Sequence, residues 1–278
     1  LADGVEYVVM EVSSHALELH RTAGVPFAGA VFTNLTQDHL DFHRTMEDYF
    51  AAKTKLFTSL EGPAAVNIDD PWGMRLTELV PSQVLTFGVE GQAQFRARKI
   101  ELENTGVSYI LEGKGEQIGI SLQLMGLFNV YNSLGAAALC AGLGVPLETI
   151  RHGLERVAGV PGRLQRISNP YGLNVVVDYA HTPDGLENIL RSARPLVPDG
   201  RIILVFGAGG DRDKAKRPLM GAVAAELADQ VIITSDNPRS EDPCEICSSI
   251  EKGLLMTNPQ VEYQIDVDRR SAIRKAVA

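Results

Sequence analysis

The spacing of apolar positions changes character along the chain, and each change marks an element. Near-continuous apolar runs at 5–12, 28–33, 65–68 and 84–87 suit strands buried on both faces, as in a mainly parallel sheet. Residues 45–60 place Met46, Tyr49, Phe50, Ala52, Leu56 and Phe57 at helical spacing, and 14–19 and 71–79 read as shorter helices. Runs at 95–102, 107–111 and 118–122, separated by glycine-containing turns, predict a small antiparallel sheet. Helices follow at 127–141 and 146–157. The stretch 158–162, Ala-Gly-Val-Pro-Gly, is flexible by composition and divides the chain into domains 1–161 and 162–278. Beyond it, strands at 174–178, 201–206 and 230–234 alternate with helices at 183–193, 216–228 and 243–255, the order of a doubly wound, Rossmann-like parallel sheet. The expected fold class is α/β throughout.

Composition narrows the function. A length of 278 residues gives each of two domains ample core, and a net charge of −9 argues against nucleic acid or an anionic membrane as partner. No apolar stretch approaches a membrane span. Cys140, Cys244 and Cys247 make no disulfide framework, and the lone Cys244-x-x-Cys247 pair reads as helix packing, which fits a reducing cytoplasm.

Candidate chemistry collects at strand ends, where open α/β sheets place their ligand crevices. Glu11 ends the first apolar run and is followed by Ser13, Ser14 and His15, although either serine also suits a helix N-cap. Asp38, His39, Asp41 and His43 follow the second run, as a metal site or as a hydrogen-bonded loop. Lys53 lies between Tyr49 and Phe57 on the next helix. There it is either a solvated lysine or one whose lowered pKa lets the neutral amine add carbon dioxide and become a carbamate, a hard oxygen ligand suited to Mg²⁺. Asn129 and Asn132 share a helix face. Residues 207–218 follow a strand, precede a helix and carry Arg212, Lys214, Lys216 and Arg217, which reads as an anion site.

Three segments in this order, MEVSSHAL, TNLTQDHLDFH and AAKTKLF, resemble the central domain of the Mur ligases. Gly162-Arg163-Leu164, the run Asp178-Tyr179-Ala180-His181-Thr182-Pro183-Asp184 and Asp236-Asn237-Pro238-Arg239 are similar to that family's C-terminal domain. The resemblance implies magnesium at Glu11, His39 and a carbamylated Lys53, and nucleotide contacts from Asn129, Asn132, Arg163, Asp178, His181 and Lys216. It also implies muramoyl-peptide contacts from Ser13 and Arg21, and recognition of meso-2,6-diaminopimelate by Arg212, Asp236, Asn237, Pro238 and Arg239. Asp178 is equally suited to an N-cap, and Arg239 to pairing with Glu241 or Asp242 in a surface turn. Ala208, Ala215 and Leu19 stand where relatives often carry cysteine, glycine and glutamine.

The implied reaction is the ATP-driven addition of diaminopimelate to UDP-MurNAc-L-Ala-D-Glu through an acyl phosphate, by a cytoplasmic monomer. A lysine-adding homologue would differ mainly at Arg239, and a folylpolyglutamate-synthetase-like ligase would lack the Asp-Asn-Pro-Arg motif. The chain contains no G-x-x-x-x-G-K-[ST] phosphate loop, does not begin with methionine and stops within a helical run. The expectation is a piece of a longer enzyme without its N-terminal domain, phosphate loop or extreme C-terminus, and inactive by itself. A non-catalytic nucleotide-binding module is the alternative from another class.

Overall fold

The computed structural model describes residues 4–81, 83–103 and 105–278. Helix α1 (Ser14–Glu18) leads to β1 (Ala30–Phe32), α2 (Leu40–His43) and α3 (Met46–Thr58), and then to β2 (Ala64–Asn67), α4 (Pro71–Thr77) and β3 (Val84–Gly88). β1, β2 and β3 are parallel, with Ala30 opposite Ala64 and Ala64 opposite Val84. β4 (Phe95–Glu103) continues the ladder parallel to β3 through Phe87↔Phe95, and β5 (Gly106–Gly113) and β6 (Glu116–Leu122) extend it antiparallel. The expected antiparallel group is thus joined to the parallel strands in one six-stranded sheet. Its β5–β6 turn uses Lys114 and Gly115, both at positive φ (52° and 79°), as a two-residue hairpin that follows the strand twist requires.

Helix α5 (Leu127–Gly142) lies across this sheet and α6 (Leu147–Glu155) packs beside β6. The approach is close because Gly135 has no side chain: a Cβ there would sit 2.9 Å from Val31 and 3.0 Å from Phe87. Phe87, Phe95, Leu111, Val130 and Leu134 fill the resulting core. On the other face Phe32, Phe50, Phe57 and Leu76 seal α3 and α4 against β1 and β2.

After residue 162 come β7 (Gln165–Ile167), β8 (Val175–Val177), α7 (Pro183–Ala193), β9 (Ile203–Phe206), α8 (Lys216–Leu227), β10 (Gln230–Ile233), α9 (Pro243–Thr257), β11 (Glu262–Ile265) and α10 (Arg269–Val277). β9, β10 and β11 form a parallel sheet in the order β11-β10-β9, with Ile203 opposite Gln230 and Gln230 opposite Glu262. Cys247 packs in the α9 core as expected of the pair, whereas Cys244 is exposed.

Two expected strands are not where periodicity put them. Residues 5–12 form no ladder, and Val9 is 97% exposed: β1, the outer strand, bonds only to β2 among the described residues, so the apolar run has no partner. The 174–178 strand joins a two-stranded antiparallel sheet with β7 instead of the parallel sheet. Asn169 explains this, since its side chain accepts from Tyr171 N and Leu173 N and donates to Ile167 O and Leu173 O, closing a local hairpin at small entropic cost.

The α8–α9 crossing depends on two glycines: a Cβ on Gly253 would lie 1.8 Å from Pro218 O, and one on Gly221 would lie 2.1 Å from Ile250 O. We expect Gly253→Ala to destabilise the protein by about 1–3 kcal/mol through overpacking. Gly153→Ala, in the α6 interior with nothing within 4 Å, should be neutral or stabilising by up to about 1 kcal/mol. Denaturant unfolding of the two variants beside the parent checks both signs.

Candidate active site

The α1 N-terminus is capped by Ser13, whose Oγ accepts from Ala16 N at 3.2 Å, so of the two serines Ser13 is the cap. Ser14 is buried and its Oγ lies 2.8 Å from His43 Nε2. His43 stacks on Tyr49 at 5.1 Å between centroids, and His15 meets His39 edge-on at 4.8 Å. These rings fix α1, α2 and α3 around one point. Burial pushes the His43 imidazole down, helped by the neighbouring His15 and His39.

Lys53 emerges one helical turn after Tyr49, with Nζ 5.3 Å from the ring centroid. Burial pushes its ammonium below the ordinary lysine range, while the carboxylates of Glu11 and Asp38 act in the opposite direction. Burial, with Asp38 and Glu11 adding, raises Tyr49 to about 12. Lys53 is therefore a half-buried lysine facing acids and not a solvated one. Arg21 is exposed in the turn after α1, beside the exposed Leu19. In the loop after β1, Asp38 and His43 are bonded to protein partners, and the Asp41 side chain lies outside the described residues.

Asp38 has a role that sequence reading missed, because its partner is 143 positions away. Its Oδ1 accepts from His39 N at 2.9 Å, and its Oδ2 lies 3.6 Å from His181 Nε2 and 3.7 Å from His39 Nε2. Burial favours the neutral acid, but the His181 contact, His39 and the Lys216 charge outweigh it and hold the carboxyl at about 2. The Asp38 contact in turn raises His181. Lys216, first residue of α8 and only 8% exposed, acts through space on both. The Asp38–His181 contact thus brings the two halves of the chain together at the β1 end.

Asp178 takes Leu164 N and Ala180 N, each at 2.7 Å, which binds the 162–164 turn to the 178–182 segment; Arg163 then lies 5.3 Å over the Tyr179 ring. The cap of α7 is Thr182, not Asp178. Asn132 Nδ2 donates to Asn129 Oδ1 at 3.3 Å and Asn129 Nδ2 to Met125 O at 2.8 Å, so the shared face is real and neither caps α5, whose N-cap is Gly126.

The two turns after β9 and β10 lace together. Gly210 N donates to Asn237 O at 2.9 Å, and Asp211 accepts from Ser240 N and Oγ. Gly207 permits the contact, since a Cβ there would lie 2.1 Å from Thr234 O. Arg217 is buried on Glu241 and Lys214 also pairs with Glu241, so neither is an open anion ligand as the sequence suggested. Arg239 is exposed and donates to Gly210 O, and among the described residues the alternative pairing with Glu241 or Asp242 is not formed. Asp236 and Asn237 are exposed beside it and Pro238 is partly buried.

Residues 1–140 match the Mur ligase middle domain, and 162–278 match the Mur ligase glutamate ligase domain. The chain belongs to the Mur ligase family. It is 49% identical over 279 aligned residues to UDP-N-acetylmuramoyl-L-alanyl-D-glutamate--2,6-diaminopimelate ligase of Thermosynechococcus vestitus, covering 99% of this chain and 55% of that protein. A solved structure of a ligase of the same name is 34% identical with a TM-score of 0.64, over 99% of this chain and 57% of that one. The folylpolyglutamate synthase of Mycobacterium tuberculosis, at 22% identity and a TM-score of 0.75 over 91% of this chain and 57% of that one, shares the fold. The chain thus spans about half the length of the curated relatives it matches.

The Asp38–His181 contact makes stability depend on pH in two directions. Asp38 has a folded pKa of about 2 against an ordinary 3.8, so its contribution is complete above the ordinary value and lost as pH falls through the folded one. His181 is raised, so its contribution is present below the ordinary imidazole range and lost as pH rises past its folded value. Asp38→Asn should lose less stability than the parent between pH ~5 and ~2, by about 2 kcal/mol. Urea unfolding at both pH values measures the difference, and equal losses would sink the assignment.

Proposed function

We propose that this chain is the middle and C-terminal part, divided at 161/162, of an ATP-dependent ligase that adds meso-2,6-diaminopimelate to UDP-MurNAc-L-Ala-D-Glu. The observation that carries the reading is the convergence of Glu11, Asp38 and the pKa-lowered Lys53 on one side with His181 and Lys216 on the other. The named relative at 49% identity supports it. In this reading the D-glutamyl carboxylate attacks the γ-phosphate of ATP, ADP leaves, and the diaminopimelate amine then displaces phosphate from the acyl phosphate. The donor set suits a hard cation: a carboxylate, an imidazole and a lysine whose depressed pKa favours the neutral amine that carbamylation needs. Glu11, His39 and carbamylated Lys53 would hold Mg²⁺, which when bound neutralises charge between carboxylate and phosphate.

The chain's own groups supply the rest. Asn129 and Asn132 form the base-side edge of the nucleotide site, and Arg163, Asp178, His181 and Lys216 bring the C-terminal domain to the phosphates. Ser13 and Arg21 contact the muramoyl peptide, where Leu19 offers no polar group. Arg212, Asp236, Asn237, Pro238 and Arg239 receive the distal head of diaminopimelate, the guanidinium offering a fork to its carboxylate. We place the enzyme in the cytoplasm as a monomer, with no nucleic-acid or membrane partner. No helix among the described residues is long and apolar enough to cross a membrane.

Two outcomes test this reading in the complete enzyme. Lys53→Ala should lower kcat by about 10²–10³, the usual cost of deleting a charge-stabilising group, with partial recovery on adding formate or acetate. Full activity of the alanine variant would refute the carbamate role. Arg239→Ala should lower kcat/KM for diaminopimelate by about tenfold to a hundredfold, the effect of a lost charged hydrogen bond at an exposed site, with little change in KM for ATP. An unchanged ratio of kcat/KM between diaminopimelate and lysine would show that Arg239 does not read the distal carboxylate.

A further inference from the structure

The turns after β9 and β10 and the start of α8 carry the cations Arg212, Lys214, Arg217 and Arg239, and the structure sorts them. Arg217 gives both terminal nitrogens to Glu241, at 2.9 and 2.8 Å, and Lys214 Nζ approaches the same carboxylate at 3.1 Å. The Arg217 side chain is 4% exposed and that of Glu241 12%, so this pair faces inward, with Lys214, 69% exposed, at its outer side. Arg212 and Arg239 form no ion pair among the described residues. Arg212 Nη1 donates to Asp211 O at 3.1 Å and Arg239 Nη1 to Gly210 O, leaving most of each guanidinium unspent. Both lie against Gly209, where a Cβ would be 3.1 Å from Arg239 Nη1 and 3.9 Å from Arg212 Cγ.

The same acid sets the backbone that carries these two arginines. Asp211 and Arg239 both have φ of 51°, a conformation that non-glycine residues keep only when their surroundings impose it. Glu241 Oε1 accepts from Asp211 N at 2.6 Å, and Glu241 N donates to Pro238 O at 3.0 Å, closing the turn that contains Arg239. Asp211 in turn accepts from Ser240 Oγ at 2.7 Å. One carboxylate therefore pairs with two cations, the buried Arg217 and the exposed Lys214, and pins the two turns that present the others.

We propose that Glu241 is a positioning residue for substrate selection: it neutralises Arg217 and Lys214 and locks both turns, so that Arg212 and Arg239 stand alone as a paired guanidinium site for one ligand carboxylate. This deepens the ligase reading above, because the carboxylate meant is the distal one of diaminopimelate. Glu241 does not touch the ligand. Without its charge, Arg217 and Lys214 compete for anions and the turns lose the contact that holds Asp211 and Arg239 at positive φ.

Glu241→Gln in the complete ligase keeps the side-chain size and removes the charge. The expected result is a rise of at least about tenfold in KM for diaminopimelate, with kcat and KM for ATP within about twofold, and a parallel fall in preference for diaminopimelate over lysine. Glu241→Asp, which keeps the charge, should recover part of the preference. Ser240→Ala removes only the exposed bond to Asp211 and serves if Glu241→Gln does not fold; it should shift KM for diaminopimelate the same way by a smaller factor. An unchanged preference in folded Glu241→Gln, or in Ser240→Ala where the first variant fails to fold, overturns the assignment. So does a uniform loss across kcat and both KM values, the mark of a merely structural residue. A parent enzyme that ligates neither amino acid removes the ligase reading and this assignment together.

Discussion

One carboxylate, Asp38, joins the strand-end chemistry of the first half to the second. It is held by its own neighbour His39, approached by His181 and kept ionised against burial by these groups and Lys216. A charge taken this far from water is tolerated only where partners replace the lost hydration. The position of the 178–182 segment, and through Asp178 that of Arg163, is therefore tied to the loop after β1. Lys53 experiences the same negative charge from the opposite side, so one acid contributes to the electrostatics of both the candidate metal position and the candidate nucleotide position.

Much of the fold could be read from spacing, because most elements announce themselves locally. Helix α3 follows from the apolar positions 46 to 57 with Thr45 as its cap, and α7 and α9 from Thr182-Pro183 and Asp242-Pro243 at their starts. What failed was pairing, which periodicity does not encode. The 5–12 run has the composition of a buried strand, yet a strand is defined by its neighbour. The 175–177 strand has the right residues for the parallel sheet, but the Asn169 turn offers a nearer partner.

The candidate site was legible where motif and strand end coincided, and less so where partners are distant in sequence. Glu11, His39 and Lys53 could be nominated from type and spacing, and their roles remain part of the proposal. The commitment of Arg217 to Glu241 could not be foreseen, since a basic cluster after a glycine turn looks the same whether its charges are open or paired. Arg239 illustrates the limit from the other side: the motif identifies the residue, but only the backbone at φ 51° and the Gly210 carbonyl explain why its head group lies in solvent beside Gly209.

The hydrophobic clusters divide cleanly. Two draw on residues 27–154 and the third on residues 186–263, and none spans the junction. Among the described residues the junction is crossed by polar groups, among them the Asp38–His181 contact and the charge of Lys216 acting on both. Such contacts are few and directional, each depending on the geometry of one pair, whereas an apolar seam scales with the area it buries. The two lobes therefore meet through directional polar contacts that specify one meeting point, while each keeps an apolar interior of its own.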